Sequence, residues 1–150
     1  LVTPVEATWK QLLNEWYTEE YQGKGFQEGT VVILSEKGER VRSKSEKILA
    51  DYFYRRNILY KYEKPLYLKG YGTVYPDFTF LSKKIGKEIY WEHEGMVDKQ
   101  EYARSAVRKI ESYQKNDIYP GDRLILTFET EQSILNSKTI EGLVNRYLQF

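Results

Sequence analysis

The stretch from Tyr75 to Gly95 constrains the fold most, because it has the pattern of two strands joined by a short turn. Around its first part Val74, Pro76, Phe78 and Phe80 alternate with the residues between them, as in a strand with one buried face. The polar run 82–87 then predicts a hairpin turn, and alternation resumes over 88–94. The sequence therefore predicts an antiparallel strand pair in the middle of the chain.

Three carboxylates belong to this strand pair. Asp77 directly precedes Phe78, so it leaves the first strand on the face opposite the apolar side chains. Glu92 and Glu94 are two residues apart and share one face of the returning strand. If the two faces match across the hairpin, the three carboxylates converge on one patch.

Crowded carboxylates repel one another and raise each other's pKa unless a cation lies between them. Oxygen ligands favour a hard ion, so Mg2+ or Mn2+ suits such a patch better than zinc. Against this, an Asp after Pro and a Glu in an antiparallel strand also occur as ordinary solvated hairpin residues. Both interpretations of the patch stay open at this point.

Composition excludes several classes of protein and of site. The chain has 150 residues, 41% hydrophobic and 30% charged, which fits one folded domain. Its apolar runs stay far below the roughly 20 residues of a membrane span, so no membrane association is expected. Zero cysteines exclude disulfides and thiolate sites and fit a cytoplasmic protein. The start at Leu1, without a signal-peptide pattern, suggests a piece of a longer chain with neighbouring domains.

Two further residues have two interpretations each. His93, the single histidine, alternates away from Glu92, which favours packing in the core over metal binding or base chemistry. Glu46 follows Ser43 by three residues, the spacing of a capping box at a helix start. The alternative places Glu46 at that helix start but facing the carboxylate patch.

The segment around Glu46 is basic. Residues 37–69 include ten basic residues and four acidic ones, which suits either a phosphate-bearing partner or a solvated surface.

Hydrophobic periodicity along the rest of the chain predicts the order of elements. Helices are predicted over 5–21, 42–56, 99–115 and 138–148, and strands over 31–34, 60–69 and 123–129. We expect residues 1–30 to form an N-terminal helix and linker, and residues 31–150 to form an α/β domain.

The core order of helix, three strands, helix and strand, with Pro76 and Asp77 on the second strand and Glu92 on the third, resembles the PD-(D/E)XK nuclease superfamily. The resemblance covers about 41–129 and implies the restriction-endonuclease-like α/β fold, here with an extra N-terminal helix. It also implies that Asp77 and Glu92 bind one or two Mg2+ or Mn2+ ions. Glu46, on the preceding helix, would be a further metal residue.

Glu94 departs from this motif, because the family has a lysine at that position. RecB-like members carry a Gln-x-x-x-Tyr motif on the next helix, and here Lys109 stands at the glutamine position and Tyr113 at the tyrosine. The resemblance therefore implies Lys109 as a relocated catalytic cation. The alternative is a lysine that shields the Glu129 or Asp117 region or points to solvent. Glu94 would then be a third ligand or a general base.

The resemblance as a whole implies a Mg2+- or Mn2+-dependent deoxyribonuclease, although RNA is not excluded as a substrate. Arg42, Lys44 and Tyr113 are the residues expected to contact nucleic acid. Two rival functions remain. A nuclease fold that has lost its chemistry would bind only nucleic acid or a protein partner, as Glu94 at the lysine position suggests. A structural domain of a larger protein would fit the net charge of +1.

Overall fold

The structure, a computed structural model, describes residues 4–148, with side chains from Thr8 onward. Four helices and eight strands lie within that range. They are α1 (Pro4–Thr18), β1 (Ile33–Leu34), β2 (Arg40–Val41), α2 (Lys44–Arg55), β3 (Lys61–Tyr62), β4 (Leu66–Leu68), β5 (Gly72–Val74), β6 (Phe78–Ser82), β7 (Lys87–Glu94), α3 (Gln100–Lys115), β8 (Leu124–Phe128) and α4 (Ser137–Tyr147). This is a mixed α/β chain.

A central sheet organises the molecule, with strands in the order β3-β6-β7-β8. Strand β6 pairs antiparallel with both β3 and β7, and Phe78 lies opposite Trp91, so the predicted hairpin is confirmed. Strand β8 runs parallel to β7. A parallel neighbour needs a crossover connection, and α3 supplies it between the two strands. Strands β1 and β2, and separately β4 and β5, form small antiparallel pairs.

Hydrophobic clusters cover both faces of the central sheet. On one face Phe53 of α2 packs edge-on against Phe78, Phe80 and Trp91, at ring-centroid distances of 5.2, 5.0 and 5.2 Å. Helix α4 adds Ile140 to that cluster. On the other face the cluster is built from α3, the β4–β5 pair and the strand residues of opposite parity, namely Leu68, Val74, Tyr90, Tyr113, Ile118 and Leu124. The sheet is therefore a middle layer between helices.

The predicted strand 60–69 is wrong as a single element, because it is split into β3 and β4 in different sheets. Glu63 has a left-handed φ of 51°, and Pro65 has no backbone N–H to donate, so neither residue continues the strand. The expected alternation from Val74 to Phe78 is also interrupted. Val74 belongs to β5 and packs in one cluster, whereas Phe78 belongs to β6 and packs in the other.

The helix predictions are confirmed, and the observed helix ends differ by three residues or fewer. Ser43 caps α2, since its hydroxyl accepts a hydrogen bond from the Glu46 N–H at 3.1 Å. The other half of the predicted capping box differs. The Glu46 carboxylate accepts a hydrogen bond from the Ser43 hydroxyl at 2.9 Å instead of from its backbone N–H.

The N-terminal segment contacts the sheet. The Trp16 indole N–H donates to Glu88 at 2.7 Å, and the Tyr21 hydroxyl donates to the Tyr62 carbonyl at 2.6 Å. The division at residue 30 into helix-and-linker and α/β domain stays a prediction. Among the described residues, none of the helices combines the length and apolarity needed to cross a membrane.

Candidate functional site

The predicted site residues lie where β6 begins and β7 ends. Asp77 comes one residue before Phe78, and Phe78 pairs with Trp91, so Asp77 lies beside the following part of β7. The backbone N–H of His93 donates to Asp77 Oδ2 at 2.7 Å. Helix α3 crosses this part of the sheet on the face of Tyr90, which is also the face of Glu92 and Glu94. The expected convergence around Asp77 therefore has a structural basis.

Glu92 and Glu94 form a lysine-bound pair. The Lys109 ammonium of α3 lies 3.4 Å from a Glu92 oxygen and 2.9 Å from a Glu94 oxygen. The Tyr113 hydroxyl, one helical turn further, donates to the other Glu92 oxygen at 2.8 Å. The prediction that Lys109 reaches the carboxylate patch from the next helix agrees with this geometry, and its catalytic role stays a prediction.

Burial dominates the electrostatics of this pair. Glu92 is 3% exposed, and burial raises the pKa of its carboxyl to about 7, although the positive charge of Lys109 acts in the opposite direction. Burial alone would lower the pKa of Lys109. The charges of Glu92 and Glu94 outweigh it and raise that pKa above its usual value. Lys109 is therefore a stable cation at neutral pH.

Glu46, Glu63 and Asp77 form a second group, the carboxylate trio. Each offers one oxygen, and the three oxygens lie within 4.8 Å of one another. An ion with octahedral oxygen ligands at about 2.1 Å holds opposite ligands about 4.2 Å apart, so trio oxygens as far apart as 4.8 Å would have to move slightly closer to bind Mg2+ or Mn2+, and metal binding stays a prediction. Burial is the main cause that raises the pKa of Asp77, followed by the charges of Glu92 and Glu46. Burial likewise raises the pKa of Glu46.

The sequence did not predict Glu63 as a site residue, and Glu63 was counted only among the four acidic residues of segment 37–69. Glu63 directly follows the buried strand β3, is itself buried, and donates its backbone N–H to the Asp77 carbonyl at 3.2 Å. The left-handed backbone conformation of Glu63 is uncommon for a residue other than glycine, and it turns the chain at this point. The available signal was an acidic residue two positions before Pro65, at the point where a proline interrupts the predicted strand.

The trio differs from the predicted metal set of Glu46, Asp77 and Glu92. In the described part of the chain, Glu46 and Asp77 come together with Glu63, while Glu92 is held by Tyr113 and Lys109. Glu92 still lies close enough for its charge to affect the pKa of Asp77. Its role as a direct ligand therefore stays a prediction.

Glu46 lies both at the cap of α2 and in the trio, and its role as a metal residue stays a prediction. Its N–H takes part in the cap of α2, and its carboxylate belongs to the trio. Besides Ser43, the Tyr62 hydroxyl donates to this carboxylate at 2.7 Å and accepts a hydrogen bond from the Arg42 N–H at 3.0 Å. Tyr62 thus links β3 to the start of α2 and orients Glu46.

The three predicted nucleic-acid contacts have different outcomes. Tyr113 is 0% exposed and bonds Glu92, so it is not available to a nucleic acid in this structure. The Arg42 guanidinium pairs with Glu63 at 2.5 Å and stacks on Phe26, 4.3 Å from the ring centre. Its charge therefore neutralises the trio in part. Lys44, the first residue of α2, is exposed and stays a candidate contact.

His93 points to the opposite face of β7, as its position in the sequence predicts. Its Nδ1 lies 2.7 Å from the Thr127 hydroxyl and its Nε2 lies 2.5 Å from Glu129. Burial tends to raise the pKa of Glu129, but hydrogen bonds from Ser45 and His93 lower it overall. The imidazole therefore joins β7 to the end of β8, and it lines the same cavity as Glu46 of the trio.

The chain is similar to one part of a much longer protein. The uncharacterized protein MJ1519 of Methanocaldococcus jannaschii is 32% identical over 130 aligned residues, covering 74% of this chain and 10% of that protein. The chain therefore spans about a tenth of the length of the curated relative it matches. No family model matches the chain, and no solved structure matches it.

Proposed function

We propose that this chain is a restriction-endonuclease-like nuclease that hydrolyses phosphodiester bonds in DNA with Mg2+ or Mn2+. The order α2, β3, β6, β7, α3, β8 supports the fold assignment, because it is the helix, three strands, helix and strand of the resemblance. The parallel pairing of β7 and β8 across α3 supports it as well.

The observation that carries the proposal is the convergence of five carboxylates, four of them buried, at the end of the sheet. Lys109 and Arg42 are the cations paired with them in the described part of the chain, which leaves an excess of negative charge. Buried charges are costly unless paired or bound to a cation. A divalent ion would supply the missing charge.

The trio of Glu46, Glu63 and Asp77 would hold the ion. When bound, the ion supplies Lewis acidity at the scissile phosphate. Lys109 would stabilise the negative charge that develops on the phosphate during attack. Glu94 is the candidate general base for the attacking water, or alternatively a further ligand. The buried hydroxyl of Tyr113 orients Glu92, and Glu92 in turn positions Lys109.

A second candidate is a nuclease fold without catalysis that binds nucleic acid or a protein partner. Glu94 favours it, since an acidic residue replaces the lysine that the family carries. The ion pairs of Lys109 also favour it, because they already satisfy that ammonium without a substrate. This candidate predicts DNA binding that does not depend on Asp77 and is not followed by cleavage.

Cleavage of labelled DNA in Mn2+, in Mg2+ and in EDTA tests the proposal. We expect cleavage with either metal, none in EDTA, and none for Asp77→Asn with either metal. Asp122→Asn, which makes the same change at an exposed loop position, is the matched control and should cleave as wild type does. RNA of the same sequence serves as a second substrate.

Thermal melting gives a readout that does not require cleavage. Mn2+ should raise the melting temperature of wild type by binding the folded state, and Asp77→Asn should remove that increase. Wild-type protein that neither cleaves DNA nor changes its melting temperature in millimolar Mn2+ would refute the proposed function.

A further inference from the structure

A shallow, open depression along the exposed face of α3 has an apolar floor and a basic rim. We define the α3 groove by the five residues that line it, Glu101, Ala103, Arg104, Val107 and Arg108. Its volume is about 590 Å3. Val107 is 52% exposed, and Ala103 lies one turn before it, so the floor offers apolar contact to a ligand.

The two guanidinium groups on the rim are free. Arg104 and Arg108 are exposed and four residues apart on the helix, so they project side by side. Among the described residues, neither side chain has an ion-pair or hydrogen-bond partner, in contrast to Arg42 and Arg55, which pair with carboxylates. Glu101 also lines the groove, which leaves two positive charges against one negative charge. A free, planar guanidinium is well suited to phosphate oxygens.

The groove borders the candidate site through Lys109. Arg108 and Lys109 are consecutive, so their side chains leave the helix about 100° apart. Lys109 turns inward to Glu92 and Glu94, and Arg108 turns outward to the groove. A polymer lying in the groove therefore passes within a few side-chain lengths of the lysine-bound pair.

We propose that the α3 groove binds the sugar-phosphate backbone of a nucleic-acid strand and leads it to the carboxylates. Arg104 and Arg108 would contact consecutive phosphates, and Val107 and Ala103 would support the apolar side of a sugar or base. This proposal rests on the proposed function, because it takes nucleic acid as the substrate. It also takes the place of Tyr113, whose side chain is buried, whereas Arg42 is exposed, is paired with Glu63 and stays a predicted contact.

Fluorescence anisotropy of a labelled single-stranded DNA oligonucleotide, measured in EDTA, tests the groove separately from cleavage. The variant R104A/R108A should bind about tenfold more weakly at low salt. The slope of log affinity against log salt should become shallower by about 1.4, or about 0.7 for each lost phosphate contact. Circular dichroism should be unchanged, since both side chains are exposed.

The matched control is K83A/K84A, which removes two positive charges from the exposed β6–β7 turn. That turn is about 20 Å from the site, because β7 spans eight residues between them. The control should change affinity by less than about twofold. The groove proposal would be refuted if R104A/R108A had the DNA affinity and salt slope of wild type. It would also be refuted if K83A/K84A lost as much DNA affinity as R104A/R108A.

The outcomes separate this proposal from the proposed function. Cleavage that needs Asp77 while R104A/R108A binds as wild type would leave the nuclease standing without the groove. If R104A/R108A binds DNA more weakly than wild type, and wild type does not cleave DNA, the groove would be supported and the nuclease function refuted.

Discussion

The lysine-bound pair and the carboxylate trio lie at the same end of the sheet but are neutralised differently. Glu92 and Glu94 come from one strand and share one ammonium group, with Lys109 at 3.4 and 2.9 Å. The trio comes from three segments, the start of α2, the end of β3 and the residue before β6. Its one direct ion pair is between Arg42 and Glu63, within the described residues.

This difference indicates where a further cation is needed. In the pair, a fixed lysine compensates part of the buried charge, although burial still raises the pKa of Glu92. In the trio, burial and neighbouring carboxylates raise the pKa values of Asp77 and Glu46, and the one ion pair within the described residues is that of Arg42 with Glu63. A removable divalent ion would bind at the trio, whereas the pair has a permanent cation. The predictions below test this division.

The largest effect is expected for Lys109→Met, which removes the permanent cation. Cleavage should fall on the order of a hundredfold or more, because charge developing on the phosphate loses its stabilising contact. Lys109→Arg should recover part of the rate. Lys115→Met, at the exposed end of the same helix, is the control and should cleave normally. Rates are compared per folded molecule, because Glu92 loses the positive charge of Lys109 and the variant is expected to be less stable. Wild-type cleavage by Lys109→Met would assign the role to the metal alone or to another basic residue.

The second prediction concerns the pH dependence of the metal-free protein. The folded-state pKa of Glu92 is about 7, above the usual value of about 4.5, so its contribution favours folding below pH 4.5 and is lost as pH rises through 7. The raised pKa values of Asp77 and Glu46 act in the same direction. The free energy of unfolding should fall by a few kcal/mol over this range.

Urea denaturation in EDTA at pH 5 and pH 8 measures this loss. Glu92→Gln should reduce it, and Mn2+ should stabilise wild type more at pH 8 than at pH 5, since protons and metal compete for the carboxylates. Stability in EDTA that is constant or rises from pH 5 to pH 8 would contradict the raised pKa values of these three buried carboxyls.

A smaller effect is expected for Glu63→Gln, which distinguishes the trio from the metal set predicted by resemblance. The Mn2+ concentration needed to raise the melting temperature should increase on the order of tenfold. Glu88→Gln is the matched control, since it also loses one ion pair, with Lys64, but at the other end of β7. If Glu88→Gln and Glu63→Gln respond equally to Mn2+, Glu63 is not a ligand.

The smallest effect separates the two roles of Glu46. Glu46→Gln should change stability by less than about 0.5 kcal/mol, because its backbone N–H keeps the cap with Ser43 and its amide oxygen can still accept from Ser43 and Tyr62. It should nevertheless weaken the Mn2+ response. Ser43→Ala should do the opposite, costing about 1 kcal/mol of stability through the lost cap while the Mn2+ response persists. An unchanged Mn2+ response and unchanged cleavage in Glu46→Gln would restrict Glu46 to the cap.

Local periodicity determined much of this molecule from the sequence alone. The helices, the β6–β7 hairpin and the face of β7 that carries Glu92 and Glu94 follow from repeats of 3.6 and 2 residues. The four-residue spacing of Lys109 and Tyr113 likewise predicted that both side chains leave α3 on one face. Each of these features depends on residues that are close together in the chain.

Only the tertiary structure decided which segments meet at the site. Glu63 joins Glu46 and Asp77 because its left-handed backbone ends β3 where that strand pairs with β6. Tyr113 is buried against Glu92, and the exposed Arg42 is paired with the buried Glu63, although both sequence positions suggested a nucleic-acid surface. Periodicity tells which face a side chain takes, but the partners across that face come from distant segments, and their packing decides burial and charge.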